Sequence, residues 1–190
     1  MVNLTRIYTR TGDDGDTALG DLSRTSKTDP RLVAYADVDE ANSALGAVLA
    51  LSSPDPDVAE LLEVIQNDLF DVGADLSTPV VPDPKYPPLR VEESYVTRLE
   101  TACDHYNAGL EKLRSFVLPG GSPEAALLHQ ARTVARRAER SAWAAVQAHG
   151  ESVNTLPAKY LNRLSDLLFI LARYANRERG DVLWRPGANR

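Results

Sequence analysis

Disulfide scaffolding is excluded at once, because the chain carries one cysteine, Cys103. It sits among Leu99, Tyr106 and Leu110 at helical spacing, where a free cysteine acts as a small buried hydrophobe. Long apolar runs are also missing. None approaches the roughly 20 residues that a helix needs to cross a bilayer. Met1-Val2-Asn3-Leu4-Thr5-Arg6 lacks the apolar core of a secretory signal. The chain reads as cytoplasmic, without a membrane partner.

Positive charge is in deficit: 21 Lys and Arg face 27 Asp and Glu, for a net charge of −6. A protein gripping a nucleic-acid backbone needs a net basic face, so nucleic acid is excluded as the main partner and any phosphate site must be local. His105, His129 and His149 stand alone, with no second ligand at zinc spacing and no cysteine partner, which excludes a zinc hydrolase or deaminase and leaves no metal ligand set. They read as ordinary helix-surface residues. No internal repeat occurs at a fixed period.

What is present is helical periodicity. The first 36 residues are polar and rich in Gly, Asp and Thr, and read as a loop. From Asp37, a candidate N-cap, Val38, Ala41, Leu45, Val48 and Leu49 mark a first helix that Ser52-Ser53-Pro54 stops. Val58, Leu61, Leu62, Ile65, Leu69, Val72 and Leu76 mark a second, ended by Ser77-Thr78-Pro79. Five prolines between positions 79 and 88 make the next stretch a surface connection. A third helix runs from about Val91 to Leu110, and Ser115 to Leu118 is a brief extended stretch closed by Pro119-Gly120-Gly121. Ser122 caps a long fourth helix with Pro123 in its first turn, and Gly150 terminates it. A fifth begins after Asn154-Thr155 and ends before Arg179-Gly180. Five helices without a convincing sheet predict an all-α antiparallel bundle in one domain: a loop over 1–36, the bundle over 37–178 and a tail over 179–190.

Three segments carry chemistry. In Thr9 to Asp21, closely spaced glycines bare backbone amides between hydroxyls and carboxylates, so the loop can wrap a triphosphate or a cation; a plain flexible turn remains open. It lacks the Gly-Lys-Ser/Thr ending of a P-loop and the register of a calcium loop. Within the fourth helix, Arg132, Arg136, Glu139 and Arg140 share a stripe. Arginines four apart repel by a few tenths of a kcal/mol unless an anion sits between them, so this is either an anion site or a solvated, salt-bridged face. In the fifth helix, Asn162, Asp166, Phe169 and Arg173 share a stripe that can line a pocket.

Together the stretches Tyr8-Thr9-Arg10-Thr11-Gly12-Asp13, Ser26-Lys27, Asp39-Glu40-Ala41-Asn42-Ser43, Phe116 to Ser122, Arg136-Arg137-Ala138-Glu139-Arg140 and Tyr160 to Asp166 resemble the PduO-type ATP:cob(I)alamin adenosyltransferases. The resemblance implies a five-helix bundle assembled as a homotrimer, with active sites between subunits and the N-terminal loop over ATP. It implies ATP contacts from Thr9, Arg10, Thr11, Gly12, Thr17, Ala18 and Lys27, completed by Arg136, Arg137, Ala138, Glu139, Arg140 and Asn162, with Mg²⁺ bridging the phosphates. Arg132 would pair with Asp39 across the subunit boundary, and Phe116, which alone reads as core, would keep the lower nucleotide ligand off cobalt. The implied reaction moves the 5′-deoxyadenosyl group of ATP onto cob(I)alamin, with a cobalamin reductase and a B12-dependent mutase or dehydratase as partners. A cobalamin carrier or scaffold, or another ATP-using helical transferase, is the alternative. Asp16, Asp21 and Ala41 depart from the family pattern.

Overall fold

The computed structural model describes residues 7–84 and 86–188. Its helices are α1 (Pro30–Leu51), α2 (Pro56–Ser77), α3 (Glu93–Asn107), α4 (Pro123–His149) and α5 (Leu156–Ala175), with a 3₁₀ turn at Gly150–Ser152. The expected all-α bundle is present. α1, however, starts at Pro30 rather than Asp37. Asp29 is the N-cap, accepting from the Arg31 amide at 2.8 Å, and Pro30 supplies a preset φ in the first turn. Buried Leu32 and Ala34 carry the apolar face back to that start. Asp37 lies inside the helix and accepts from Ser141 Oγ at 2.5 Å. α3 is shorter at both ends than the pattern suggests; at its start, Val91 is fixed before the helix by donating its amide to Asp75 at 2.8 Å.

α1 packs between α2 and α4, and α4 packs between α1 and α5, which in turn carries α3. α1 and α4 run antiparallel, as His149 against Asp29 at one end and Arg137 against Glu40 further along show. Close approach is possible because α4 turns Ala131, Ala135, Ala138, Ala142 and Ala145 inward, all buried. α5 answers with buried Leu161, Leu164, Leu168 and Leu171. Removing one such side chain, as in Leu164→Ala, costs about 2–5 kcal/mol through lost transfer energy and a residual cavity.

Two buried charges fix how the ends meet. Arg31 donates from Nη1 to the Leu76 carbonyl at 3.0 Å and from Nη2 to the Ser152 carbonyl at 3.1 Å, joining the start of α1 to the ends of α2 and α4. Asp75 accepts from Arg90 at 2.5 Å and Asn154 at 2.7 Å, clasping the end of the proline-rich connection. Breaking the Arg90–Asp75 pair strands the buried Asp75 carboxylate and costs about 3–5 kcal/mol.

The N-terminal segment, expected to be loop, contains a hairpin: β1 (Asp16–Ala18) pairs antiparallel with β2 (Arg24–Ser26), Thr17 opposite Thr25. The hairpin docks on α2 where the Gly20 amide donates to the Ser77 carbonyl at 3.0 Å. A Cβ at Gly20 would collide with Thr78, so only glycine permits this approach. Among the described residues no helix is long and apolar enough to cross a membrane.

Candidate functional site

A cleft of about 690 Å³ opens between α4, α5 and the chain that follows α3. Arg132 and Arg136 enter it from α4, Ser165, Asp166, Phe169 and Arg173 from α5, and Leu110 to Leu113 from the connecting loop. Arg173 is committed elsewhere: its Nε donates to Asp181 at 2.8 Å and its Nη2 to the Glu111 carbonyl at 2.7 Å. Asp166 is held by Arg163 at 2.8 Å. Arg132 and Arg136 have no ion pair or hydrogen bond among the described residues, and the Arg132 Nε is buried without a partner. Burial, and then the charge of Arg136, lower the pKa of Arg132. Two cations in this state are relieved by an anion, and a guanidinium fork grips phosphate oxygens in pairs.

The remaining members of the arginine segment divide. Glu139 accepts from the Asn162 amide at 3.0 Å, which joins two of the expected ATP-binding residues across α4 and α5. Arg140 is exposed. Arg137 does not turn with Arg136; it forms ion pairs with Asp37 and Glu40 of α1. Ala138 is fully buried in the core, on the inward face of α4, and presents no surface to a ligand in the single chain.

The loop site is built separately. Lys27 donates from Nζ to the Gly12 carbonyl at 2.6 Å and from its amide to the Gly15 carbonyl at 2.8 Å, closing the glycine turn. Arg24 donates to the Thr11 carbonyl at 3.0 Å, and the hydroxyls of Thr9 and Thr11 lie 2.9 Å apart. Arg10 adopts a left-handed φ of 62° and Gly15 one of 89°, so the turn is constrained as well as exposed. Asp21 points back onto its own turn, accepting from Ser23 Oγ at 2.6 Å, and this hydrogen bond is the first cause of its lowered pKa. Its charge is therefore spent locally.

Ala18, Leu19 and Gly20 of the hairpin share a second groove, about 600 Å³, with Tyr35, Asp39, Asn42 and Phe70. Asp39 sits in the third turn of α1, not at its start. Neither cleft holds both the loop and the arginines: Asp39 lines one and Arg132 the other.

Phe116 is not core. It is 76% exposed, on a segment that pairs with the tail through Val117 and Leu183. Asn176, fully buried at the end of α5, accepts from the Ser122 amide at 2.9 Å and donates to the Gly120 carbonyl at 3.0 Å, fixing the turn after Phe116. Nothing in the apolar pattern marked Asn176; a polar residue ending an otherwise apolar stripe was the only signal. His129 is likewise 2% exposed rather than on the helix surface, its ring edge-on to Phe169 at 6.0 Å. Among the described residues no group of three or more His, Cys, Asp or Glu side chains is assembled for a metal ion.

The sequence profile described as cobalamin adenosyltransferase matches residues 7–175. The chain belongs to the cobalamin adenosyltransferase family. A corrinoid adenosyltransferase of Mycobacterium tuberculosis is 71% identical over 189 residues, spanning 100% of this chain and 97% of that protein. One from Bacillus subtilis is 42% identical over 178 residues, covering 92% and 89% of the two chains. Among solved structures, a variant of the PduO-type ATP:corrinoid adenosyltransferase of Lactobacillus reuteri, complexed with cobalamin and ATP, superposes with a TM-score of 0.87 at 38% identity, over 95% of this chain and 99% of that one. The family match spans the hairpin, the arginine segment and Phe116, and stops at the last residue of α5.

Proposed function

We propose that this protein transfers the 5′-deoxyadenosyl group of ATP to the cobalt of cob(I)alamin. The observation that carries the reading is the Arg132–Arg136 pair, directed without an ion-pair partner among the described residues into a cleft that also offers Phe169 and Leu110 as apolar wall. The cobalt(I) electron pair attacks the ribose C5′, a Co–C bond forms, the C5′–O bond breaks, and triphosphate leaves with that bond's electrons. The protein needs no nucleophile or general base of its own. Its part is to hold the reactants in line and to stabilise charge growing on the triphosphate.

Arg136, with Arg140 beside it on the helix surface, grips the phosphates, and the Asn162–Glu139 pair presents a fixed carboxylate to the nucleoside. Thr9 to Gly12, Thr17, Ala18 and Lys27 close over ATP from the hairpin side. Mg²⁺ would arrive with the triphosphate, whose oxygens suit a hard cation. Bound there, it would neutralise leaving-group charge. Phe116, exposed as the role requires, occupies the lower face of the corrin and keeps the nucleotide ligand off cobalt.

A homotrimer completes this site. The hairpin groove with Asp39 and the arginine cleft lie apart in one chain, and a second copy joins them when Asp39 of one meets Arg132 of the next. The same reading puts the protein in the cytoplasm, where an unpaired cysteine stays reduced, supplied by a cobalamin reductase and serving a B12-dependent mutase or dehydratase.

The test is the visible spectrum of chemically reduced cobalamin incubated with the protein, ATP and Mg²⁺, beside an Arg136→Ala control. Light-sensitive adenosylcobalamin from the native protein and not from the control is expected. ATP binding without any Co–C bond formation would leave a carrier or another transferase.

A further inference from the structure

Phe116 does not stand alone. The Leu118 amide donates to the Val182 carbonyl at 2.7 Å, the Trp184 amide to the Phe116 carbonyl at 2.8 Å, and Ser115 Oγ to the Trp184 carbonyl at 2.8 Å. This short antiparallel pairing sets the two backbones, and the rings of Phe116 and Trp184 then meet with centroids 5.8 Å apart at an interplanar angle of 60°. Trp184 is 44% exposed, so much of its surface lies against the protein while Phe116 projects beside it. Leu183 points the other way, into a cleft with Lys112 and Arg114, as strand alternation requires.

An exposed phenylalanine on irregular chain exchanges rotamers in picoseconds to nanoseconds. Backbone pairing alone fixes its Cα but not its χ angles. The tryptophan ring is the contact that restricts those angles. The root of the tail is itself secured, because Asp181 is held by Arg173 and Arg173 in turn holds the Glu111 carbonyl ahead of Phe116.

We infer that Trp184 is a positioning residue for the corrinoid step: it holds the Phe116 ring in the orientation that displaces the lower nucleotide ligand from cobalt. The inference rests on the adenosyl-transfer reading. Trp184 acts through Phe116, so its effect must vanish when Phe116 is gone.

The experiment compares wild type, Trp184→Ala, Trp184→Phe, Leu183→Ala, Phe116→Ala and the Trp184→Ala/Phe116→Ala double variant. Each is read for the four-coordinate Co(II) signal with cob(II)alamin and Mg-ATP, for kcat, and for ATP KM. Trp184→Ala is expected to lower kcat and the four-coordinate signal together, on the order of tenfold, as misplaced reacting groups do. ATP KM should hold, Trp184→Phe should restore most of the loss, and the double variant should match Phe116→Ala. Wild-type behaviour in Trp184→Ala would overturn the inference, as would additive losses in the double variant or an equal loss in Leu183→Ala, which would assign the effect to the strand. If Trp184→Ala loses its fold, Trp184→Phe and the Leu183→Ala contrast still decide. A wild-type protein that gives neither the four-coordinate signal nor adenosylcobalamin would instead sink the adenosyl-transfer reading itself.

Discussion

Asn176 grips the turn at Gly121 so closely that a Cβ there would overlap its side-chain amide, and Gly121 adopts a left-handed φ of 108°. A buried amide and a glycine thereby fix the join between the Phe116 segment and α4. Gly121→Ala should lower stability by about 1–3 kcal/mol, from strain and from a displaced hydrogen bond. A denaturant melt with an unchanged midpoint would show that the turn yields freely.

Adjacent arginines should separate cleanly. Arg136→Ala removes a cation aimed into the cleft, and ATP affinity should fall about tenfold or more in calorimetric titration. Arg137→Ala removes half-exposed ion pairs to Asp37 and Glu40, which are worth about 0–1 kcal/mol. Its ATP affinity should change less than threefold. Equal losses in the two variants would return Arg137 to the nucleotide site.

Phe116→Ala should retain ATP binding and stability while losing on the order of a hundredfold in adenosylation rate, since the residue is exposed and does not line the Arg132–Arg136 cleft. Unchanged turnover under physiological reduction would remove Phe116 from the mechanism.

His129 gives the fold a calculable pH dependence. Burial, and then Arg132, lower its pKa below 6.5, with Asp181 opposing. Below 6.5 the unfolded chain binds a proton that the folded chain refuses, so stability is full above that value and declines as pH falls toward the folded pKa. Stability measured by urea unfolding should drop between about pH 7 and about pH 5.5 in wild type and drop less in His129→Leu. Identical slopes would show that His129 takes up its proton alike in the folded and the unfolded chain.

Cys103 packs against the core from α3, and burial, then the Asp166 carboxylate, raise its thiol pKa from 9.0 to about 11. Its thiolate fraction near neutrality is then about a hundredfold below that of the unfolded thiol. A disulfide reagent should label it in seconds in denaturant and far more slowly in the native protein. Native labelling at the denatured rate would place the thiol in solvent.

Local periodicity and capping suffice for the five helices and most of their boundaries, and charge spacing singles out the arginine stripe as a candidate anion site. α2 and α5 are legible from Leu62 and Leu164 with their neighbours, and α4 from its Ser122-Pro123 start and its Gly150 stop. The start of α1 at Asp29-Pro30 was written in a cap-and-proline signal, but only the packing of Leu32 and Ala34 makes it an ordered helix. Tertiary structure alone decided which arginine points where. Arg136 and Arg137 are neighbours in sequence, yet about 100° of helical rotation sends one into the cleft and the other onto α1. Burial of His129, exposure of Phe116 and its contact with Trp184 followed from where distant segments meet, since neither an apolar pattern nor a motif records which surface a side chain finally faces.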